Sequence, residues 1–553
     1  MSNTSSRKDS FYGFLVILLL TVFCYVPSLK NPLLWDDEVT VLGNLLIRDF
    51  RNLPTVFTSG YHAGGGDLTN LYRPLAVVSF MVDYAIWGLK PLGFHLTNLI
   101  LHLLNVSLVY WILRRVLDSR FLIFIATALF AVHPINSEVV NYVSHRPELL
   151  MGLFLLASFH QYLVFRQEGS RFSFGLSLVL FIAALLSKEM GILLPFFLFL
   201  YEVGARRAVP LQTSKRQLRF VVPFLIVAIL YLVLRATVLN FLNIPFWKGA
   251  QAEPFSDNLW IRLLTAAKVH WIYLRLLFWP VGLHMDHDVP IAVSWGEPVG
   301  LAAMAGILLF LAMGWFLRRR QPLLSFGIFW YFGGLAPVSN FLPLNTAIAE
   351  HYLYIPSIGF FIAVAALLIP VFCRGNPPWL PSRRGGVTPP LQWNSGRHRG
   401  LPLLGVFVVL CMMSLTFLRT LEWGDEEKLY LSTVNNTRAS FRANNNLGVY
   451  YFRNNQMDKA EEYFKRSLEI LPTYAEALNN IGAVYQRKGD LLGAIAYYQK
   501  SVQSNPNYLL AHENLLALYR YLERKEEAEK EEEALRSIHL RLGFPLGFPL
   551  DKP

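Results

Sequence analysis

The chain has 553 residues, of which 54% are hydrophobic and only 16% are charged. A mean hydropathy of +0.37 excludes an ordinary soluble domain and predicts several membrane-spanning segments. The net charge of +12 does not indicate nucleic-acid binding, because the arginines cluster in short loops between apolar segments, where cytoplasmic loops of membrane proteins carry them. The three cysteines, Cys24, Cys373 and Cys411, lie in or beside apolar runs and offer neither a disulfide framework nor a CxxC metal site.

The apolar run at 11–28 follows Arg7 and Lys8 and precedes no small-residue cleavage site, so we expect a retained first helix that starts in the cytoplasm. Eleven stretches are predicted to span the membrane, although several are shorter than the roughly 20 residues of a full crossing: 11–28, 93–113, 121–134, 148–165, 173–187, 190–203, 219–238, 298–317, 323–341, 352–372 and 401–418. This count places the arginine-rich loops on the cytoplasmic side, in agreement with the positive-inside rule.

A twelfth apolar stretch, 259–279, would reverse the orientation of the later loops if it crossed the membrane, so we expect it to lie along the outer leaflet or to dip into it. Its Lys268, Trp271 and Arg275 share one helical face. Lys268 and Arg275 are either interfacial anchors or part of a binding site for a lipid phosphate.

After residue 421 the sequence becomes polar and repeats with a period of 34 residues, as "NNLGVYY" at 445–451, "NNIGAVY" at 479–485 and "ENLLALY" at 513–519 show. This pattern is typical of tetratricopeptide repeats. We therefore expect a membrane core at 1–420, whose first outer loop is 29–92, and a repeat domain at 421–540 followed by a tail at 541–553. The repeats are predicted near 442–475, 476–509 and 510–540, the last ending in a polar capping helix outside the cytoplasm.

The outer segments of this arrangement hold most of the polar motifs, namely "WDDE" at 35–38, "YRPL" at 72–75, "HPINSEVVNYVSHRPELL" at 133–150, "SKEMG" at 187–191, "HMDHD" at 284–288 and "AEHYLYIPS" at 349–357. No GxxxxGK[ST] motif indicates the use of ATP. A reaction on this side of the membrane then requires an activated donor carried by lipid, such as a polyprenyl-phosphate sugar. That chemistry needs a carboxylate base and cations for the departing phosphate.

Asp36 and Asp37 are the predicted base, one or the other, because they follow the first helix at the boundary between lipid and water; alternatively they only stop that helix. Arg73 and Arg146 run against the positive-inside bias and are predicted to bind an anion, although Arg146 could instead pair with Glu148. Lys188 is a further predicted phosphate ligand and its neighbour Glu189 a predicted substrate-binding residue, unless the two simply pair with each other.

Two further groups of polar residues have competing interpretations. His95, Asn98 and His102 form one stripe of a membrane helix, which favours hydrogen bonds between helices, with substrate contact through His95 as the alternative. No cofactor is predicted, although a divalent metal near His284, Asp286, His287 and Asp288 would find ligands of the right types.

Taken in order, "WDD", "YRPL", "GFHLTNLILH" (93–102), the "HP" at 133–134, "SKE", "AEHYLYIPS" and the C-terminal repeats resemble the transmembrane and tetratricopeptide-repeat (TMTC) family, relatives of the protein O-mannosyltransferases among the GT-C glycosyltransferases. The resemblance implies an all-α, polytopic GT-C-type core with a C-terminal repeat solenoid. It also implies that Asp36 and Asp37 match the acidic pair of the family. His351 departs from the family pattern, which has arginine at this position, so the resemblance implies either no phosphate binding by that loop or binding that depends on pH.

The resemblance implies transfer of a single sugar, mannose, from a polyprenyl-phosphate donor to a Ser or Thr hydroxyl of a protein, with a polypeptide acceptor on the concave face of the repeats and no nucleic-acid partner. Two alternatives remain open: a glycan or glycolipid acceptor, and a membrane scaffold without enzymatic activity. We expect a bacterial inner membrane with periplasmic repeats or, alternatively, an endoplasmic reticulum membrane with luminal repeats.

Overall fold

The structure is a computed structural model that describes residues 2–65, 71–117, 119–203, 215–237, 258–288, 290–340, 348–374, 392–393, 400–437 and 439–542. Within these ranges, fifteen α-helices belong to the membrane core: α1 Ser2–Tyr25, α2 Leu53–Val56, α3 Pro74–Trp87, α4 Pro91–Val116, α5 Arg120–Val132, α6 Ser137–Asn141, α7 Arg146–Glu168, α8 Arg171–Ser187, α9 Leu194–Val203, α10 Val222–Thr237, α11 Leu259–Phe278, α12 Pro298–Leu317, α13 Pro322–Leu335, α14 Pro356–Phe372 and α15 Gly400–Glu422. Seven more follow: α16 Glu426–Asn436, α17 Phe441–Arg453, α18 Met457–Ile470, α19 Ala475–Arg487, α20 Leu491–Ser504, α21 Leu509–Tyr521 and α22 Lys525–Leu542. The predicted helical fold class is therefore confirmed.

Short elements connect these helices. The 3-10 turns are Val26–Lys30, Leu46–Arg48, Phe50–Asn52, Ala63–Gly65, Pro134–Asn136, Val143–His145, Glu189–Leu193, Lys215–Phe220, Ala336–Val338 and Glu350–Leu353, and Glu38–Leu42 is a π-helical turn. Among the described residues, β-structure is limited to the two-residue strands β1 Cys373–Arg374 and β2 Gln392–Trp393, which pair antiparallel with Cys373 opposite Trp393.

Six helical segments of the described chain are long and apolar enough to cross a membrane: Phe11–Lys30, Pro91–Val116, Val143–Glu168, Leu218–Thr237, Pro298–Leu317 and Leu404–Glu422. A seventh crossing results if α5 and the helical segment after it, bent by 45°, count as one. The other predicted spans correspond to shorter apolar helices. The protein is thus a multi-pass membrane protein, and α11, with three cations, is not among the six.

The core is built from closely packed apolar helices. α7 packs on α8 and α4, while α5 packs on α1, α14 and α15. α13 and α14 approach most intimately where two glycines meet, because a Cβ built on Gly327 would lie 2.5 Å from the carbonyl oxygen of Gly359. Small residues at such crossings let helix backbones touch, which is a common way to associate helices in membranes.

The C-terminal helices form three antiparallel pairs, α17–α18, α19–α20 and α21–α22. Phe464 and Tyr498 are fully buried between the helices of the first two pairs. A Cβ on Gly448 would lie 2.5 Å from the Phe464 ring, and one on Gly482 would lie 2.7 Å from Tyr498. Glycine at each of these positions therefore makes room for the aromatic ring.

The repeat domain contacts the loops at one end of the core. Arg453 of α17 forms an ion pair with Glu38, and the hydroxyl of Ser440 donates to Asp286 Oδ2 at 2.7 Å. The rings of Trp35 and Tyr430 lie 6.0 Å apart. The acidic loop after α1 and the first repeat therefore lie at the same end of the molecule.

Candidate functional site

The acidic loop begins with an unusual backbone conformation. Trp35 has φ of +53°, a region that a bulky residue rarely adopts and that surrounding structure must enforce. The next residue, Asp36, is exposed, whereas the residue after that, Asp37, is only 1% exposed. The two acids that follow Trp35 therefore lie in different environments.

Asp37 ties this loop to the loop before α7. Its Oδ1 accepts hydrogen bonds from the backbone N–H and the hydroxyl of Ser144, at 2.7 and 2.5 Å, and its Oδ2 accepts from the Leu34 N–H at 3.1 Å. Burial raises the pKa of Asp37 to about 7, and the hydrogen bonds from Ser144 and Leu34 oppose this rise. Both oxygens of Asp37 are engaged in structural contacts.

Asp36 is held through its backbone, since its N–H donates to the Tyr142 hydroxyl at 2.7 Å. Its carboxylate makes no hydrogen bond or ion pair with any residue that the structure describes. Of the two acids, Asp36 is therefore the one whose oxygens can receive a proton from a bound molecule.

Arg73 lies beside this loop and pairs with Glu189. Two guanidinium nitrogens donate to the carboxylate at 2.8 and 3.3 Å. The guanidinium also lies 5.4 Å from the centre of the Tyr61 ring, and the Tyr61 hydroxyl donates to the Ser144 carbonyl oxygen at 3.2 Å. The positive charge of Arg73 lowers the pKa of Glu189 to about 2, against the effect of burial. Arg73 and Asp37 are thereby joined through Tyr61 and Ser144.

Lys188, next to Glu189 in sequence, pairs with Glu148 instead. Burial and the nearby charge of Arg73 lower the pKa of Lys188 to about 7. Lys188, Glu148 and His351 line a small cavity whose other walls are mainly apolar, formed by Met151, Leu155, Met190, Leu193, Tyr352, Tyr354, Ile355 and Pro356. The cavity therefore has charged groups among apolar walls.

His351 belongs to a second cluster in the same region. Its Nδ1 lies 2.9 Å from Glu138 Oε1, and its backbone N–H donates to Glu138 Oε2 at 3.1 Å. The rings of His351 and His145 lie 4.0 Å apart, and His351 Nε2 lies 3.6 Å from Glu148 Oε1. His351 therefore connects the Glu138 carboxylate to the cavity that Lys188 lines.

Arg146 is enclosed within the core rather than facing the cavity. Its guanidinium is fully buried and contacts Asp83 at 2.5 Å, Asn98 Oδ1 at 2.9 Å and the Phe94 carbonyl oxygen at 2.8 Å. The alternative pairing of Arg146 with Glu148 is wrong, because Arg146 pairs with Asp83 and Glu148 pairs with Lys188. The alternative pairing of Lys188 with Glu189 is also wrong, because Glu189 pairs with Arg73. The donors of Arg146 are already engaged, so we leave this residue out of the proposed phosphate site.

Three other predicted residues have surroundings of their own. Lys268 pairs with Glu297 at 2.8 Å, and Arg275 is exposed on α11. His95 is fully buried in α4, one helical turn before Asn98. The interhelical interpretation of the polar stripe is confirmed for His102, whose ring nitrogens lie 2.9 Å from the Tyr354 hydroxyl and 3.2 Å from the Ala131 carbonyl oxygen.

The side chains at 284–288 serve structural contacts instead of forming one ligand set. His287 Nε2 lies 3.0 Å from Glu350 Oε1, and the backbone N–H of His284 donates to the same oxygen. Asp286 accepts from Ser440 of the repeat domain. Among the described residues, the metal-type cluster consists instead of Glu138, His145 and His351, which no metal prediction from sequence included.

Sequence reasoning also missed Glu138, Glu148 and Glu350 as site residues, although they lie in motifs that the sequence analysis singled out. Each is a buried carboxylate beside a histidine or lysine. Acidic residues in otherwise apolar outer turns were the available signal, since burying an unpaired carboxylate is costly.

The repeat region matches the family model described as "Tetratricopeptide repeat" over residues 439–504. The chain is 25% identical to the "Protein O-mannosyl-transferase F38B6.6" of Caenorhabditis elegans over 85% of its own length, and 26% identical to the mouse "Protein O-mannosyl-transferase TMTC3" over 83%. The chain is thus similar to proteins that are named protein O-mannosyl-transferases. The resemblance predicted from the ordered motifs is thus confirmed.

The chain covers 64% of the worm protein and 51% of the mouse protein, so it spans between half and two thirds of the length of these curated relatives. Among solved structures, ArnT from Cupriavidus metallidurans bound to undecaprenyl phosphate aligns with a TM-score of 0.40 and 15% identity, covering 91% of this chain and 76% of ArnT.

Proposed function

We propose that the chain is a GT-C-type membrane glycosyltransferase that moves one sugar, mannose, from a polyprenyl-phosphate donor to a Ser or Thr hydroxyl of a protein. The proposal is supported by similarity to proteins named protein O-mannosyl-transferases over more than four fifths of the chain. It is also supported by polar groups from four separate segments that meet at one end of the core.

The observation that carries the proposal is the unpaired carboxylate of Asp36 beside the linked network of Asp37, Ser144, Tyr61 and Arg73. Asp36 takes the proton of the acceptor hydroxyl as its oxygen attacks the anomeric carbon. The bond from that carbon to the phosphate oxygen breaks, and the phosphate leaves with the electron pair. Attack opposite the leaving group inverts the anomeric carbon.

Lys188 and Arg73 stabilise the phosphate as it leaves, because cations positioned where charge develops lower the barrier most effectively in a site that excludes water. The lining of the cavity beside Lys188 supports a lipid donor, since Met151, Leu155, Leu193 and Ile355 offer an apolar surface along which a prenyl chain can lie. His351 lines the same cavity and stands where the family pattern predicts arginine, so its contact with the donor phosphate depends on the protonation of its ring.

The two acids have different roles in this proposal. Asp37 is a positioning residue, because its carboxylate binds Leu34 and Ser144 and so fixes the loop that presents Asp36. The repeats receive the polypeptide acceptor, and the contact between Arg453 and Glu38 holds their first helix next to this loop. We place the loop and the repeats on the non-cytoplasmic side, in the periplasm or the lumen of the endoplasmic reticulum.

A reconstituted transfer assay tests the function. The full chain in proteoliposomes is given radiolabelled mannosyl-phosphoryl-polyprenol and an unstructured peptide rich in Ser and Thr. We expect labelled peptide with the wild type and with the matched control Asp49→Asn, an acid of the same loop that pairs with the exposed Arg51. Asp36→Asn is expected to lower the rate roughly 100-fold or more.

The outcomes separate the parts of the proposal. No consumption of donor by the wild type contradicts a glycosyltransferase, and label in a glycolipid instead of peptide supports the other acceptor class. Full activity of Asp36→Asn contradicts only the base assignment.

A further inference from the structure

We propose that Glu138, His145 and His351 form a binding site for a divalent transition-metal ion of the Zn²⁺ class. Glu138 belongs to α6, His145 ends the 3-10 turn before α7, and His351 lies in the turn before α14. Although His351 is 213 positions from Glu138 in sequence, one possible ligand atom from each of the three residues lies within 4.8 Å of the others.

The measured separations suit one ion. Glu138 Oε1 lies 2.9 Å from His351 Nδ1 and 3.3 Å from His145 Nδ1. A tetrahedral zinc with bonds of about 2.1 Å separates its ligand atoms by roughly 3.4 Å. Small side-chain rotations therefore bring all three atoms to coordination distance.

Two features of the cluster point to a missing ligand. The Nδ1 atom of His145 is buried and has no hydrogen-bond partner among the described residues, although it faces the Glu138 carboxylate. A buried polar atom without a partner is costly, and a metal ion would satisfy it. The Oε2 atom of Glu148, close to His351, is likewise buried without a hydrogen bond in the described structure.

Glu148 has the position of an outer carboxylate that orients a ligand histidine. Its Oε1 lies 3.6 Å from His351 Nε2, the nitrogen on the opposite side of the ring from Glu138. Carboxylates in this position fix the ring and increase the basicity of the metal-binding nitrogen. The ion pair with Lys188 balances the charge of Glu148, so the ligand set itself contributes one negative charge.

Two imidazoles and one carboxylate favour Zn²⁺, Co²⁺ or Mn²⁺ over Mg²⁺ and Ca²⁺, which prefer oxygen ligands. Three protein ligands leave a fourth position open, as in catalytic zinc sites. His145 follows Ser144, the residue that binds Asp37, so the cluster borders the acidic loop. A phosphate oxygen of the donor would fit there, a role that rests on the proposed function, whereas metal binding does not.

The test measures Co²⁺ binding by the full chain in detergent. The chain is purified through an affinity tag without histidines, and a chelator removes any bound metal before Co²⁺ is added. We expect about one Co²⁺ per chain, the visible absorption of a low-coordinate N/O site, and displacement by Zn²⁺ but not by Mg²⁺. Glu138→Gln and His351→Gln should each weaken binding roughly tenfold or more. The matched control His287→Gln alters a buried histidine beside another buried carboxylate, Glu350, and should bind as the wild type does.

Absence of Co²⁺ and Zn²⁺ binding by the folded wild type overturns the proposal, as does unchanged affinity in both Glu138→Gln and His351→Gln. Because the assay contains no sugar donor, its failure leaves the transfer reaction untouched. A catalytically inactive chain that still binds one ion would conversely contradict the proposed function alone.

Discussion

Asp37 and Ser144 are 107 positions apart in sequence, yet one carboxylate oxygen of Asp37 accepts hydrogen bonds from both the backbone N–H and the hydroxyl of Ser144. This contact joins the loop after α1 to the turn before α7. It also brings His145 and Asp36 into one region, because each is the chain neighbour of a bonded residue. The account of the site depends on this junction.

The junction predicts that the two acids affect different properties. Asp37→Asn presents an amide to the donors of Ser144 and Leu34, and each unsatisfied buried donor costs about 1–3 kcal/mol. We expect a clearly lower melting temperature for the detergent-solubilised chain, and a smaller decrease for Ser144→Ala, which removes only the hydroxyl. Asp36→Asn is the matched control and should melt as the wild type does. Equal melting of all three variants would contradict the positioning role of Asp37.

The raised pKa of Asp37 predicts a dependence of stability on pH. Its pKa of about 7 in the folded chain exceeds its ordinary value of 3.8, so between these values the folded state holds a proton that the unfolded state releases. This contribution to stability is therefore full at low pH and is lost as the pH rises through about 7. We expect the melting-temperature advantage of the wild type over Asp37→Asn to shrink from about pH 5 to about pH 8. An advantage that grows over this range would show the opposite shift.

The Arg73–Glu189 pair predicts a separation of stability from donor binding. Arg73→Ala leaves Glu189 without its partner and should cost about 3 kcal/mol, the lower end for breaking a buried pair, because the Glu189 side chain is 32% exposed. The apolar double variant Arg73→Met/Glu189→Leu should recover most of that stability. If Arg73 also binds the donor phosphate, the double variant keeps a raised KM for the lipid donor. Recovery of both stability and KM would reduce Arg73 to a structural role.

The contact between the repeats and the core predicts a charge-exchange result. Arg453 and Glu38 are 48% and 41% exposed, so the pair is worth at most about 1 kcal/mol. Arg453→Glu and Glu38→Arg should each increase hydrogen exchange in the turn Glu38–Leu42, and the double variant should restore protection. Failure of the double variant to restore it would mean that the pair does not hold the repeats in place.

Much of the architecture follows from local sequence signals. The period of 34 residues sufficed for the repeats because each helix pair contacts mainly its neighbours. The apolar runs located the core helices because a membrane helix needs an apolar surface along its whole length. The ordered motifs correctly indicated the relatives, and the polar outer motifs included the residues that the structure brings together.

The specific side-chain partners could not be predicted from the sequence, because they depend on how distant helices pack. Lys188 and Glu189 illustrate this point. The backbone of Lys188 is extended, with φ of −160° and ψ of 144°, and Glu189 begins a 3-10 turn. The two neighbouring side chains therefore reach different partners, Glu148 and Arg73. The contact of Glu138 with His351 likewise arises only when α6 meets the turn before α14.

The most direct test of the central claim is a cryo-EM structure of the full chain in nanodiscs with bound polyprenyl phosphate. The account predicts a phosphate within hydrogen-bonding distance of Lys188 or Arg73, a prenyl chain along Met151, Leu155 and Leu193, and the phosphate head facing Asp36. A phosphate bound at the opposite end of the core, near Arg115 and Arg166, with the cavity beside Lys188 empty, would contradict it.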